Sequence, residues 1–128
     1  MELVAIIIAL ALLEYVAFGM LVGKARVTYG VKAPATSGHE IFDRYFRVHQ
    51  NTLEMMVVFV PATWLFGQYV SANWGAALGA VFIAARIVYL RSYIADPAKR
   101  GTGFGLSFLP IAVMLIGILV AAGMKLLA

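Results

Sequence analysis

Four long apolar runs, parted by two basic polar stretches and one short uncharged turn, constrain this chain more than any single residue does. They lie at about residues 3–23, 48–70, 74–93 and 104–127. A helix needs roughly 20 apolar residues to cross a bilayer, so four crossings need roughly 80. The chain has 128 residues, 63% of them hydrophobic and 12% charged, which meets that need with little to spare. Soluble domains carry about twice that share of charge. The pattern excludes a water-soluble enzyme, a disordered tail and a nucleic-acid-binding module. It predicts an all-α, integral membrane four-helix bundle forming one domain over residues 1–128.

The first run opens on Met1-Glu2, without a basic leader and without a small-residue cleavage site before a polar domain, so it reads as a retained span. Lys24 to about Arg47 is a polar connection with the loop residues Gly30, Pro34, Ser37 and Gly38, and Ser37 to Glu40 suit the cap of a short helix at Ile41. The second run begins polar and turns apolar, with Pro61 inside it. Ser71 to Asn73 is a tight turn near Trp64, Tyr69 and Trp74, as an interfacial aromatic belt requires. The third run is rich in Gly and Ala, which let membrane helices approach closely. Asp96-Pro97 stops it, and the fourth run follows.

The net charge of +4 orients the bundle. Lys24, Arg26, Lys32, Arg44 and Arg47 flank the first connection, and Arg86, Arg91, Lys99 and Arg100 the second. The middle turn has no basic residue. By the positive-inside rule, both basic connections face the cytoplasm.

Side-chain spacing then gathers a site at that end. Arg47, Asn51 and Glu54 fall at i, i+4 and i+7, on one helix face. A cation, an amide and an anion stacked at the mouth of a membrane helix suit a zwitterionic polar ligand. Glu54 lies about 10 Å below the start of the second run, and a carboxylate at that depth needs a partner. Arg86 in the third run lies at a similar depth and is the candidate partner. Tyr89 and Tyr93 share its face at i+3 and i+7. The plainer reading is a buried ion pair that fixes packing. The functional reading adds Arg26 and Arg100 to make a polar pocket of Arg26, Arg47, Asn51, Glu54, Arg86, Tyr89, Tyr93 and Arg100. Arginine forks match carboxylates, and arginine with tyrosine hydroxyls stabilises an anion such as a thiolate. The ligand expected is small and carries carboxylates, and its reaction partner comes from the lipid.

Glu14 is a competing focus. An acid in the middle of the first helix resembles the small multidrug-resistance transporters, whose exchange of proton and drug depends on such a carboxylate. The plainer reading bonds Glu14 to a neighbouring helix inside an oligomer, through Arg86 or Asn51. There is no cysteine, and with only His39 and His49 as histidines no metal site is expected. Any thiol must arrive with a ligand. Gly101 to Gly105 lacks the strand and lysine of a phosphate loop. Met55, Met56 and Met114 read as core or lipid-facing filler, and His39 as solvated.

The segment Phe42-Asp43-Arg44-Tyr45-Phe46-Arg47-Val48-His49-Gln50-Asn51-Thr52-Leu53-Glu54 resembles the signature of the MAPEG family, membrane-associated proteins in eicosanoid and glutathione metabolism. Ala85 to Tyr93 resembles that family's third helix, and Lys24-Ala25-Arg26 with Val31 to Pro34 its first connection. The likeness covers nearly the whole chain and is strongest to bacterial members similar to microsomal glutathione transferases. It implies a homotrimer of four-helix subunits in the bacterial inner membrane, amid membrane lipids, with glutathione bound at subunit interfaces near the cytoplasmic surface. Arg47, Asn51, Glu54, Arg86, Tyr89 and Tyr93 match glutathione-binding positions, and Arg26 a position supplied by the adjacent subunit. Arg100 matches the arginine that activates the thiol. The implied activity is glutathione transfer to hydrophobic electrophiles, with peroxidase action on lipid hydroperoxides. A non-catalytic lipid-binding or scaffold role, as in some members, and a proton-coupled exporter using Glu14 are the alternatives. Val27, Met55 and His49 depart from the leukotriene-C synthases, which have a second catalytic arginine, a tyrosine and a glutamine there. These changes argue against leukotriene synthesis and leave general thiol activation in place.

Overall fold

The computed structural model describes residues 1–128. Four helices run α1 Glu2–Tyr29, α2 Glu40–Tyr69, α3 Ala72–Ala95 and α4 Gly101–Leu127, with a 3-10 turn at Pro97–Lys99 before the last. At 1.5 Å per residue they are about 36 to 45 Å long, enough to cross a hydrocarbon core of about 30 Å. Large apolar side chains such as Leu13, Met20 and Leu119 point outward, as a lipid-facing surface requires.

The helices outrun the apolar runs at the basic end. α1 continues through Lys24 and Arg26 until Gly30 takes the left-handed conformation at φ 68° and donates its N–H to the Arg26 carbonyl. α2 begins at Glu40, well before the apolar run. Its N-cap is His39, whose Nδ1 accepts from the Ile41 N–H at 3.1 Å. Asp43 reaches back to accept from the Gly38 N–H at 3.1 Å and the Ser37 hydroxyl at 3.3 Å. His39 also stacks on Tyr29 at 4.2 Å. His39 is exposed, as expected, and is the cap that the Ser37 to Glu40 stretch suits, while the expected long loop shrinks to residues 30–39. The physical reason is that a helix leaving the bilayer needs no apolar face, so its polar turns look like loop in sequence.

Three of the four helical segments are long and apolar enough to cross a membrane: α1, α3, and α4 with its preceding turn. α2 does not reach that mark alone, in keeping with the polar start of the second run. Its polar first half carries Arg47, His49, Gln50, Asn51 and Glu54. It can afford them because it packs against α1, α3 and α4 together. Its inward face supplies Phe42, Val48, Met55, Phe59 and Phe66 to the interior. Phe59 stacks on Phe82 of α3 at 4.0 Å, with Met55, Met56 and Met114 in the same core. At Gly79 an added Cβ would collide with Ile7 Cγ2, so the small residues of α3 do admit α1 closely.

Both basic connections lie at one end. There Arg44 of α2 donates to the Ile94 carbonyl at the end of α3 at 2.7 Å and to Glu40 at 2.6 Å. At the other end Ser71 caps α3 by accepting from the Trp74 N–H at 3.2 Å. Trp64, Tyr69 and Trp74 are exposed there.

Candidate functional site

At the basic end, α2, α3 and the start of α4 enclose a small polar cavity of about 50 Å³ lined by Arg47, Gln50, Asn51, Glu54, Tyr89, Tyr93 and Arg100. Six of the eight residues singled out from the sequence meet here. The i, i+4, i+7 spacing does what it implies: Arg47, Asn51 and Glu54 present one face of α2 to this space. Tyr89 and Tyr93 come from α3, their rings 5.6 Å apart. Arg100 stands at the junction of the 3-10 turn and α4. Gln50 is the lining residue that spacing arguments passed over, though it lies one turn from Arg47.

Arg86 and Arg26 do not line the cavity. Arg86 is fully buried beneath it. Its Nη1 donates to Asn51 Oδ1 at 2.8 Å and Thr52 Oγ1 at 3.2 Å, and its Nε to Ser107 Oγ at 3.0 Å. Its guanidinium lies over the Tyr89 ring, 4.3 Å from the centroid. The expected Glu54–Arg86 ion pair does not form. Glu54 is exposed to the cavity and unpaired, while Arg86 donates through Nε and Nη1 to neutral acceptors on α2 and α4 and its Nη2 has no partner. Ser107, a hydroxyl set within the apolar stretch of α4, is a readable sign of such a contact. Arg26 instead braces the first connection, donating to the Ala35 carbonyl at 2.7 Å and lying over Phe42 at 4.8 Å. Within the subunit Glu14 is bonded neither to Arg86 nor to Asn51. Both its oxygens are buried without a partner.

The geometry depends on a close crossing of α3 and α4. A Cβ on Gly103 would meet the Tyr89 backbone at 2.5 to 2.6 Å. Backbone cannot step aside as a flexible side chain can. Gly103→Ala is therefore expected to cost about 1–3 kcal/mol and to push Arg100, three residues earlier, away from Tyr89 and Tyr93. Thermal unfolding in detergent checks this, and an unchanged Tm would contradict the close packing.

Next to the polar cavity runs an apolar groove of about 350 Å³ between α2 and α4, sharing Asn51 and Glu54 with it and continuing along Val58, Phe104, Phe108 and Leu115. A charged, hydroxyl-rich chamber thus opens onto a lipid-facing channel. Such an arrangement can hold a polar anionic reactant and bring an apolar one to its side.

Comparison with known proteins gives a consistent picture. The model of the MAPEG family matches residues 4–120. An uncharacterized protein of Synechocystis is 42% identical over 117 residues, covering 91% of this chain and 85% of that protein. Microsomal glutathione S-transferase 2 of Bos taurus is 38% identical over 99 residues, 77% of this chain and 68% of its own length. Leukotriene C4 synthase of Rattus norvegicus is 31% identical over 98 residues, 77% of this chain and 65% of its own.

Proposed function

The chain belongs to the MAPEG family, and from that premise we propose that this multi-pass membrane protein is a glutathione transferase with peroxidase side activity. The observation that carries the reading is the meeting of Arg47, Asn51, Glu54, Tyr89, Tyr93 and Arg100 around one cavity that opens onto an apolar groove.

In this reading the glutathione carboxylates pair with Arg47, its amine with Glu54, and a carboxylate or peptide carbonyl with the Asn51 amide. Charge-assisted hydrogen bonds of this kind are the strong ones. The thiol lies by Arg100, with Tyr89 and Tyr93 alongside. Arg100 favours the thiolate by charge pairing, and the thiol proton leaves to bulk water. The thiolate sulfur attacks the electrophilic carbon of a substrate in the groove. The S–C bond forms as the leaving group departs with its electron pair. With a lipid hydroperoxide, two glutathione molecules give a disulfide while the hydroperoxide becomes alcohol and water.

The cavity of about 50 Å³ is far smaller than the roughly 300–1,000 Å³ of ordinary small-molecule pockets. A second copy of the chain would supply the missing wall, and Arg26, on an outer part of α1 away from the cavity, is the arginine that copy would bring. The reading is of a homotrimer with its sites between subunits, in a bacterial inner membrane, with the basic end facing the cytoplasm by the positive-inside rule.

The test is direct. Purified protein in detergent, given glutathione and a chlorinated nitroaromatic electrophile, should release the conjugate well above the uncatalysed rate. Glutathione binding without turnover would instead support the scaffold role. Neither binding nor turnover would overturn the reading.

A further inference from the structure

We propose that Glu14 and Arg86 form a buried charge relay, bridged by water, that fixes the orientation of the Asn51 amide at the floor of the cavity. Both are positioning residues, and the inference rests on the glutathione reading above.

The argument starts from Arg86. A guanidinium has five N–H donors, no acceptor, and keeps its proton. Arg86 is fully buried, and its Nε and Nη1 are engaged by Ser107, Asn51 and Thr52. Those three partners are neutral. Thr52 and Ser107 donate their own O–H groups to the Val48 and Gly103 carbonyls, so they accept from Arg86 without balancing its charge. Nη2 is buried with no partner. A buried charge left uncompensated is strongly unfavourable.

The chain has six acids. Glu2 pairs with the N-terminal amine, and Glu40 with Arg44. Asp43 caps α2 and Asp96 the 3-10 turn. Glu54 is exposed in the cavity. Glu14 remains, and both its oxygens are buried and unpartnered. The donors that Arg86 lacks a use for and the acceptors that Glu14 lacks a use for are complementary. Ala11 and Phe82 share one buried cluster and Phe18 and Tyr89 another, so Glu14, between Ala11 and Phe18 on α1, lies level with Arg86, between Phe82 and Tyr89 on α3, though beyond ion-pair distance. One water, accepting from Nη2 and donating to the carboxylate, meets the needs of both, and a buried water is stable where it finds such polar partners.

The consequence falls on Asn51. Because Arg86 can only donate, its bond at 2.8 Å holds Oδ1 toward α3. The two N–H donors of the Asn51 amide are then left for the cavity, where they select an acceptor group on the ligand, a carboxylate or a peptide carbonyl. Without its countercharge, Arg86 no longer holds the amide, and the flipped form presents an acceptor to an anionic ligand. Glu14, deep in α1, thus acts on the site through Arg86.

The test uses the full-length protein in detergent. Glu14→Gln should raise the KM for glutathione about tenfold, the loss of one charge-assisted hydrogen bond, with kcat little changed because Arg100 is untouched. Glu14→Asp, which keeps the carboxylate, should restore most of the affinity. The double variant Glu14→Gln with Asn51→Ala should match Asn51→Ala alone, since Glu14 acts only through that amide. An unchanged KM in Glu14→Gln, or additive effects in the double variant, would overturn the proposal. A glutathione-free measurement stands beside these. Glu14→Leu and Arg86→Met should each lower Tm, and the double variant should recover part of the loss; additive losses would overturn the pair. Coupling in unfolding, together with no glutathione binding by the unaltered protein, would sink the glutathione reading and uphold the buried pair.

Discussion

Arg100→Met should lower conjugation by about 10²–10³-fold, the usual cost of removing one group that stabilises a developing anion, while glutathione still binds. The residue is well placed for a clean result. It is exposed, its side chain makes no hydrogen bond or ion pair within the chain, and it starts α4 without capping it through its side chain. Nothing in the fold depends on its guanidinium, so lost activity would report chemistry. A free thiol near pKa 8.5 is mostly protonated at neutral pH, and a nearby fixed cation is the simplest way to shift it. Ultraviolet difference spectra of the complex should show the thiolate absorbance in the unaltered protein and its disappearance in Arg100→Met. A thiolate signal that survives would remove Arg100 from the reaction.

Glu54→Gln should weaken glutathione binding by about 10–100-fold, because a charge-assisted bond to the ligand's ammonium is replaced by a neutral one. Glu54 is the acid that lines the cavity, and it is committed to no partner in the chain. The substitution keeps size and shape, and the fold has no pair to lose, so Tm should hold. Calorimetric titration distinguishes this from a mere packing role. Full affinity in the variant would mean that the amine is held elsewhere.

Much of this site was legible in the sequence because helical spacing is rigid. Arg47, Asn51 and Glu54 had to share a face once α2 was a helix, and Tyr89 and Tyr93 once α3 was. What spacing cannot give is rotation about the helix axis relative to neighbours. Arg86 shares a face with the two tyrosines, yet it turns inward under the cavity, toward Thr52 and Ser107 on two other helices. The depth match between Glu54 and Arg86 suggested a bond that the packing does not make. Helix ends differ from the apolar runs for another reason. Apolarity marks where lipid begins, and α1 and α2 both continue beyond it, held by His39, Asp43 and Gly30 through local backbone contacts. Gly103 left no trace in the pattern, since only a partner helix shows why a side chain is forbidden there.

The Arg44 clasp has a mechanical meaning. It joins the first turns of α2 to the last carbonyls of α3, 50 residues away in the chain. Three residues beyond it on α2 stands Arg47, and just past the clasped carbonyls come Asp96 and the turn that ends at Arg100. The two arginines of the cavity rim are therefore hinged to one fastening. Slackening it would change the width of the doorway, and with it the rate at which a ligand enters and leaves, before it changed anything inside.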